Sequence, residues 1–390
     1  MKILLVGEYS RLHNSLKEGL VNLKHDVTIV AAKDGFKNYD IDLLIKKKYQ
    51  TGLLKKVKNL IYRFSKIDLE SLQIKNQIIN LRPQLSDFDV VQFINEASFG
   101  CTAVIEQDIF DLISTWNKNV FLLSCGTDHT SVKYAHDNKL RYSILTPYLN
   151  GKDQFLSSYG LKYLQPDYIE LHHHIYNAVN GVIASDLDYH LPLLNQPKYL
   201  GLIPNPINSD TLKFKELVIE DKIVIFHGIN EHNYYKKGND IFEEALAIID
   251  RKYSDKIKIV TVKSLPYKEY IKTYNEAHIV LDQIYAYDQG YNALEAMAKG
   301  KVVFTGAEKE WLDYYDISEN SIAINALPDA DDIAKKLEWL ILNPEKIVEI
   351  SNNARQFIET HHNYITCAKK YLKTWQEHIK NYALLEDSLL

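Results

Sequence analysis

The sequence predicts an α/β fold built from two doubly wound domains with parallel sheets, and three stretches carry that expectation. The chain opens on an apolar strand, Lys2-Ile-Leu-Leu-Val6, passes a polar loop and a helix, and enters a second strand at Asp26–Ala31. Far downstream, His278–Gly306 repeats the pattern as buried strand, polar aromatic loop, helix and buried strand. Parallel neighbours need such a crossover, so each stretch reads as a βαβ unit. Between them, Leu202-Ile-Pro-Asn-Pro-Ile207 holds two prolines that fix an extended passage and mark the domain boundary.

Composition narrows the function classes. A chain of 390 residues has room for two domains, and 46% hydrophobic with 25% charged residues is ordinary for a globular protein. A formal net charge of −5 argues against a general nucleic-acid binder. Cys101, Cys125 and Cys367 are far apart and unpaired in spacing, which suits a reducing compartment without disulfides or zinc. The first strand begins at Lys2, leaving no room for a signal peptide, and no apolar run reaches about 18 residues. The expectation is a cytoplasmic protein, free or peripheral on the inner face of a membrane.

In the first half, the loop Gly7–Asn14 follows strand one, and Ser15 is the expected cap of the next helix, Ser15–Leu23. Ligands of such folds sit at the carboxyl ends of strands, so Gly7, Ser10, His13 and Asn14 are expected on the ligand side. The glycine fingerprint of nicotinamide binders is missing. Leu43–Ile67 is basic and apolar with no acidic residue, a composition that can lie on an anionic membrane or form a solvated connecting helix. Asp89–Ile94 and Val120–Ser124 read as strands, the first ending at Asn95 and Glu96. The second ends at Cys125–Thr130, where Asp128 and His129 are candidates for acid/base work or hydroxyl binding. The plainer alternative is a turn in which Asp128 caps a helix. Residues 131–170 are tyrosine-rich and read as an insertion or lid. His172, His173 and His174 would point about 100° apart on a helix and cannot share one metal ion. Asp186-Leu-Asp188 follows strand Gly181–Ala184, where helix capping is its natural use.

In the second half, Lys222–Phe226 is a strand with His227–Asn230 as its exit, and Lys236 and Lys237 lie in the loop beyond. Helix Asp240–Asp250, strand Lys256–Val260 and helix Tyr267–Asn275 lead into the stretch at His278. There Gly300 ends the helix Tyr291–Lys299, and Glu295 lies in its opening turns beside Gly290 and several free N–H groups. That arrangement suits an anion whose neighbouring hydroxyls need an acceptor, as in a nucleotide-diphosphate sugar. Ala330–Leu342, Glu345–Thr360 and Tyr364–Tyr382 are the closing helices.

These residues resemble the retaining glycosyltransferases of family 4, which have the GT-B fold: two Rossmann-like domains facing each other across a cleft. The resemblance spans nearly the whole chain. Its most specific part is Ala293-Leu-Glu-Ala-Met-Ala298 with Gly300-Lys-Val-Val303, similar to the end of the family's E-x7-E motif. Leu202–Asn208 resembles the hinge, and Phe226-His-Gly228 with Lys237-Gly238 resembles the diphosphate element. The implied domains are 1–203 for the acceptor and 204–370 for the nucleotide sugar, with 371–390 as a helix crossing back to the first.

Carried over by position, the resemblance makes Glu295 the acceptor for the ribose hydroxyls. The N–H groups near Tyr291, Asn292 and Ala293 meet the diphosphate, Lys237 neutralises it, Gly228 lets the backbone approach it, and Gly290 lies under the sugar. Tyr287 stands where the motif has its first glutamate, so contact with the sugar hydroxyls passes to Asp288 or Gln289, or to Asp282-Gln283. Ile229 stands where an arginine is expected, leaving Lys236 as second cation. The implied activity is retaining transfer from a UDP- or GDP-sugar to a hydroxyl of a glycan or lipid-linked acceptor, in surface polysaccharide, lipopolysaccharide or capsule synthesis. The nucleotide sugar is a co-substrate and no metal is expected. A nucleotide-sugar epimerase would need paired acid/base carboxylates, which the sequence does not offer. The other alternative is a catalytically degenerate scaffold subunit.

Overall fold

The computed structural model describes residues 1–33, 39–152, 159–263 and 274–389. They form two compact units, one of Met1–Ser131, Lys162–Pro206 and the chain from Tyr364, the other of Val132–Leu161 and Ile207–Asn363. The passage between units falls at Pro206, inside the two-proline stretch. Segment 132–161 groups with the second unit, not with the N-terminal domain drawn as 1–203, and the return begins at Tyr364, before position 371.

The first unit holds seven strands: β1 Lys2–Val6, β2 Asp26–Ala32, β3 Leu43–Ile45, β4 Val90–Phe93, β5 Val120–Ser124, β6 Gly181–Ala184 and β7 Tyr199–Leu202. They lie in the order β3-β2-β1-β4-β5-β6-β7, every described pair parallel. Ile3, Leu4, Leu5 and Val6 are wholly buried, because helices cover both faces of a parallel sheet. Strand order reverses between β1 and β4, so the loops after these two strands border the unit's natural ligand crevice.

The second unit holds β8 Ile223–Ile229, β9 Ile257–Lys263, β10 Ile279–Leu281, β11 Val302–Thr305 and β12 Ile324–Asn325. Their order is β12-β11-β10-β8-β9, again parallel, with the reversal between β8 and β10. The helix expected at Tyr267–Asn275 lies largely outside the described residues.

The local expectation for the first helix changes. The first helix runs Leu12–Asn22, starting earlier than Ser15, because Ser10 and Arg11 take left-handed backbone angles and turn the chain at once. Ser15 is inside it and buried. In the tyrosine-rich segment Tyr142, Tyr159 and Tyr163 are buried. Helices His129–His136 and Pro166–Ala178 frame it.

The last helix, Tyr364–Leu389, packs on the first unit through its opening turns. Gly19 makes the contact possible, since a Cβ there would lie 2.3 Å from the Tyr364 carbonyl oxygen. Trp375 is fully buried, donates its indole N–H to Gln92 Oε1 at 3.1 Å and stacks near Tyr371 and Phe121. Truncating it removes a large apolar group and strands the Gln92 oxygen. Trp375→Ala is therefore expected to destabilise the first unit by about 3–5 kcal/mol, and Trp375→Phe by less. Urea denaturation followed by far-UV circular dichroism checks the order.

Candidate functional site

The second unit's site grows from the reversal between β8 and β10. Beyond Ile229 the chain makes a short turn, and Gly238 opens the helix Asn239–Tyr253 with a left-handed φ of 72°. A side chain at Gly238 would strike Ile284 at 2.7 Å, so glycine lets the loop close onto the residues after β10. The closure is stitched twice. Ile284 N–H donates to the Lys237 carbonyl at 3.1 Å, and Lys237 Nζ meets Asp282 Oδ1 at 2.8 Å. Asp282 is nearly buried, whereas the Lys237 side chain keeps 24% of its surface and two further donors.

Lys236 stands next to it, half-buried and with no ion-pair partner among the described residues. Burial and the neighbouring Lys237 charge push its ammonium down to about 8. Two adjacent cations, one desolvated and unneutralised, make a place that an anion would stabilise.

Past Asp282 the backbone leads through Gln283 to Gly290. A Cβ at Gly290 would touch the Gln283 amide at 3.8 Å, so the loop folds back on itself there. Gly290 caps helix Tyr291–Ala298 without a side-chain cap bond, and Asn292 is exposed at its start. Ala293 is buried beneath. Glu295 is half-exposed, and its carboxylate has no hydrogen-bond or ion-pair partner among the described residues.

The remaining sequence candidates separate. Gly228 is not at a strand exit: β8 continues through Ile229 and Gly228 pairs with Val262. Tyr287 is buried; its hydroxyl accepts the Arg141 N–H at 2.8 Å while the Arg141 guanidinium lies over its ring. Asp288 is buried and accepts the Gln289 N–H at 2.7 Å. Gln289 donates to the Gly306 carbonyl at 2.7 Å, leaving its buried amide oxygen unsatisfied. Gln283 is the half-exposed polar side chain of this loop.

In the first unit the loop after β1 is held by its own side chains. His13 is wholly buried and donates Nδ1–H to the Gly7 carbonyl at 2.7 Å. Asn14 is buried, with its N–H and amide on the Glu8 carboxylate at 2.8 and 2.6 Å. His13 and Asn14 thus brace the loop instead of facing a ligand, and Ser10 is half-exposed. Asp128 accepts from Ser124 and, at 2.7 Å, from the Ser131 N–H, which is the helix-capping geometry. His129 is buried, not an exposed turn residue. Its Nδ1–H donates to the Tyr163 carbonyl at 2.8 Å, which in a neutral ring leaves Nε2 as the acceptor.

The pair Glu96–His172 was not foreseen. His172 Nδ1 bonds the buried Glu96 carboxylate, and its ring lies 4.7 Å from that of His129. Burial pushes the Glu96 carboxyl up against the pull of His172, while Glu96 holds the His172 imidazole above its ordinary value against burial. Only Glu96's place after a buried strand hinted at a role, since its partner is 76 residues away. His174 bonds Asp111 at 2.6 Å and His173 is exposed, so the three histidines go to three surroundings. Asp186 caps helix Leu187–Leu193 by accepting the Asp188 N–H.

Comparison with known proteins now has a site to refer to. Residues 230–373 match the family model described as glycosyl transferase-like. The match covers a little over a third of the chain. It contains Lys236, Lys237, Asp282, Gly290 and Glu295. The whole chain has the GT-B fold. A sucrose-phosphate synthase from Thermosynechococcus elongatus superposes with TM-score 0.64 at 12% identity, covering 98% of this chain and all of that one. Anabaena HepE in complex with UDP gives TM-score 0.56 at 13% identity, with 97% and 100% covered. A TarM variant from S. aureus, in complex with fondaparinux, alpha-GlcNAc-glycerol and UDP, gives 0.58 at 12%, with 96% and 99% covered. No curated protein sequence matches significantly.

The buried histidine of the first loop sets an acid limit on this architecture. Burial pushes His13 down to about 4, with the Gly7 bond pulling the other way. The unfolded chain therefore binds the extra proton first, below its ordinary value near 6.5. Stability is expected to be intact above that value and to fall as pH drops through it, by about 3 kcal/mol from this group by pH 4. In His13→Gln the acid limb of a stability-against-pH curve should lose about one proton of slope.

Proposed function

We propose that this chain is a retaining glycosyltransferase that moves a sugar from a UDP-sugar, rather than a GDP-sugar, to a hydroxyl of a glycan or lipid-linked acceptor in surface-polysaccharide synthesis. The observation that carries this reading is the second unit's pairing of an under-neutralised cation pair, Lys236 and Lys237, with a free carboxylate at Glu295. A nucleoside diphosphate needs both: positive charge for its phosphates and acceptors for its ribose. The family match over the same residues supports it, and the UDP in the HepE and TarM complexes favours uridine.

In the reaction the bond from sugar C1 to the diphosphate oxygen breaks, and negative charge gathers on that diphosphate. Lys237, held by Asp282, and Lys236 stabilise the leaving group, joined by the backbone N–H groups at Tyr291, Asn292 and Ala293. These groups supply the charge that a metal would otherwise bring, so no step needs one. The acceptor oxygen forms the new bond to C1 on the face the diphosphate leaves, and its hydroxyl proton passes to the departing diphosphate oxygen. Gln283 takes the place of the motif's first glutamate toward the sugar hydroxyls. In the first unit, His129 Nε2 beside the Glu96–His172 pair offers an acceptor for a hydroxyl.

A donor screen by nucleotide release tests the reading. Release from a UDP-sugar should persist in EDTA. Lys237→Ala is expected to lower turnover about a hundredfold or more, the usual cost of losing one group that stabilises developing charge. Glu295→Ala should weaken UDP binding by roughly ten- to a hundredfold, the worth of hydrogen bonds to an ionised group. Absence of nucleotide binding at millimolar concentration would instead assign the chain to a scaffold role.

A further inference from the structure

We infer that helix Gly52–Ser65 docks the first unit onto an anionic bilayer surface. This rests on the helix alone and is independent of the donor reading. Leu53, Val57, Leu60 and Phe64 recur at steps of four, three and four residues, which lines them along one face. A surface helix of a globular protein ordinarily turns such a stripe into its own core. Here the stripe points outward: Leu53 is 76%, Leu60 59% and Phe64 80% exposed, and no residue of the helix is buried. The helix is tied down on a different side, by the half-buried Ile61 and by Lys58 at 3.6 Å from Glu70.

The charge says what covers the stripe. Leu43–Ile67 has eight lysines and arginines and no acid, in a chain whose net charge is −5. On the helix, Lys56 and Arg63 flank the stripe while Lys55 and Lys66 lie on the far side, all exposed. An interfacial helix needs this division, with apolar side chains at the acyl boundary and cations reaching to anionic headgroups. A protein partner would require an acidic rim around an apolar groove, whereas an acidic lipid surface supplies both features everywhere. The helix follows the carboxyl end of β3, the same end of the sheet as the loop after β1 and His129. Docking would bring that end of the first unit to the lipid surface.

The test is flotation of the full chain with vesicles of phosphatidylglycerol and phosphatidylcholine, against vesicles of phosphatidylcholine alone. The chain should float with the anionic vesicles and less so as salt is raised, because headgroup attraction is screened within about 10 Å. Lys56→Gln/Arg63→Gln should weaken partitioning about 25-fold, near fivefold per cation. Leu53→Ser/Leu60→Ser/Phe64→Ser should abolish flotation. UDP calorimetry on the same variants separates the two readings, since these residues are remote from Lys237 and Glu295 in sequence and lie in the other unit. Wild type left at the bottom of the gradient overturns the proposal, as does flotation unchanged in both variants. A dimer that the serine variant dissolves, with no flotation, would assign the stripe to a second copy and also overturn it.

Discussion

The ion pair between Lys237 and Asp282 is the constraint on which the second unit's site depends. It joins the loop after β8 to the end of β10, the two strands between which sheet order reverses. A nearly buried carboxylate is costly to leave unpaired, and Lys237 is its partner. The lysine in return loses rotamer freedom before any ligand arrives. A cation fixed this way costs little to reorganise when charge develops nearby, which is the physical advantage of preorganised electrostatics. Lys236 adds the complementary feature, a charge that burial disfavours and an anion would restore.

The first unit solves the same geometric problem differently. Its loop after β1 is closed by neutral contacts, His13 to Gly7, and by Asn14 on Glu8. The loop after β4 ends in the hydrogen-bonded pair of Glu96 and His172. These contacts tie the loop ends together, and His13 Nε2 is left buried without a hydrogen-bond partner among the described residues. Two parallel sheets with reversed strand order thus carry two kinds of edge, one cationic and one hydrogen-bonding.

Much of this was legible from local pattern. Strands buried on both faces read as continuous apolar runs, and the helix at Tyr291 declared itself by Leu294, Met297 and Ala298 with Gly300 after it. Glu295 was found because its position in an opening turn follows from spacing alone. Short edge strands β3, β7 and β12 were not foreseen, since two to four residues carry too little pattern. The start of the first helix was misplaced because left-handed angles at Ser10 and Arg11 have no sequence signal in non-glycine residues. Tyr287 shows the deeper limit. It looked like a gap in a motif, but its hydroxyl and ring hold Arg141, which bonds Glu308 and Glu310 at 2.6 Å. Contacts across about 150 residues leave no trace in a window of ten. The same holds for His172 and Glu96.

The central claim is that one nucleoside diphosphate bridges Lys236–Lys237 and Glu295 in the second unit. A crystal structure of the chain with UDP measures this directly. The account predicts the ribose hydroxyls within hydrogen-bond distance of the Glu295 carboxylate, and the diphosphate against Lys237 and the first N–H groups of helix Tyr291–Ala298. UDP bound with neither contact, or seated in the first unit alone, would contradict it.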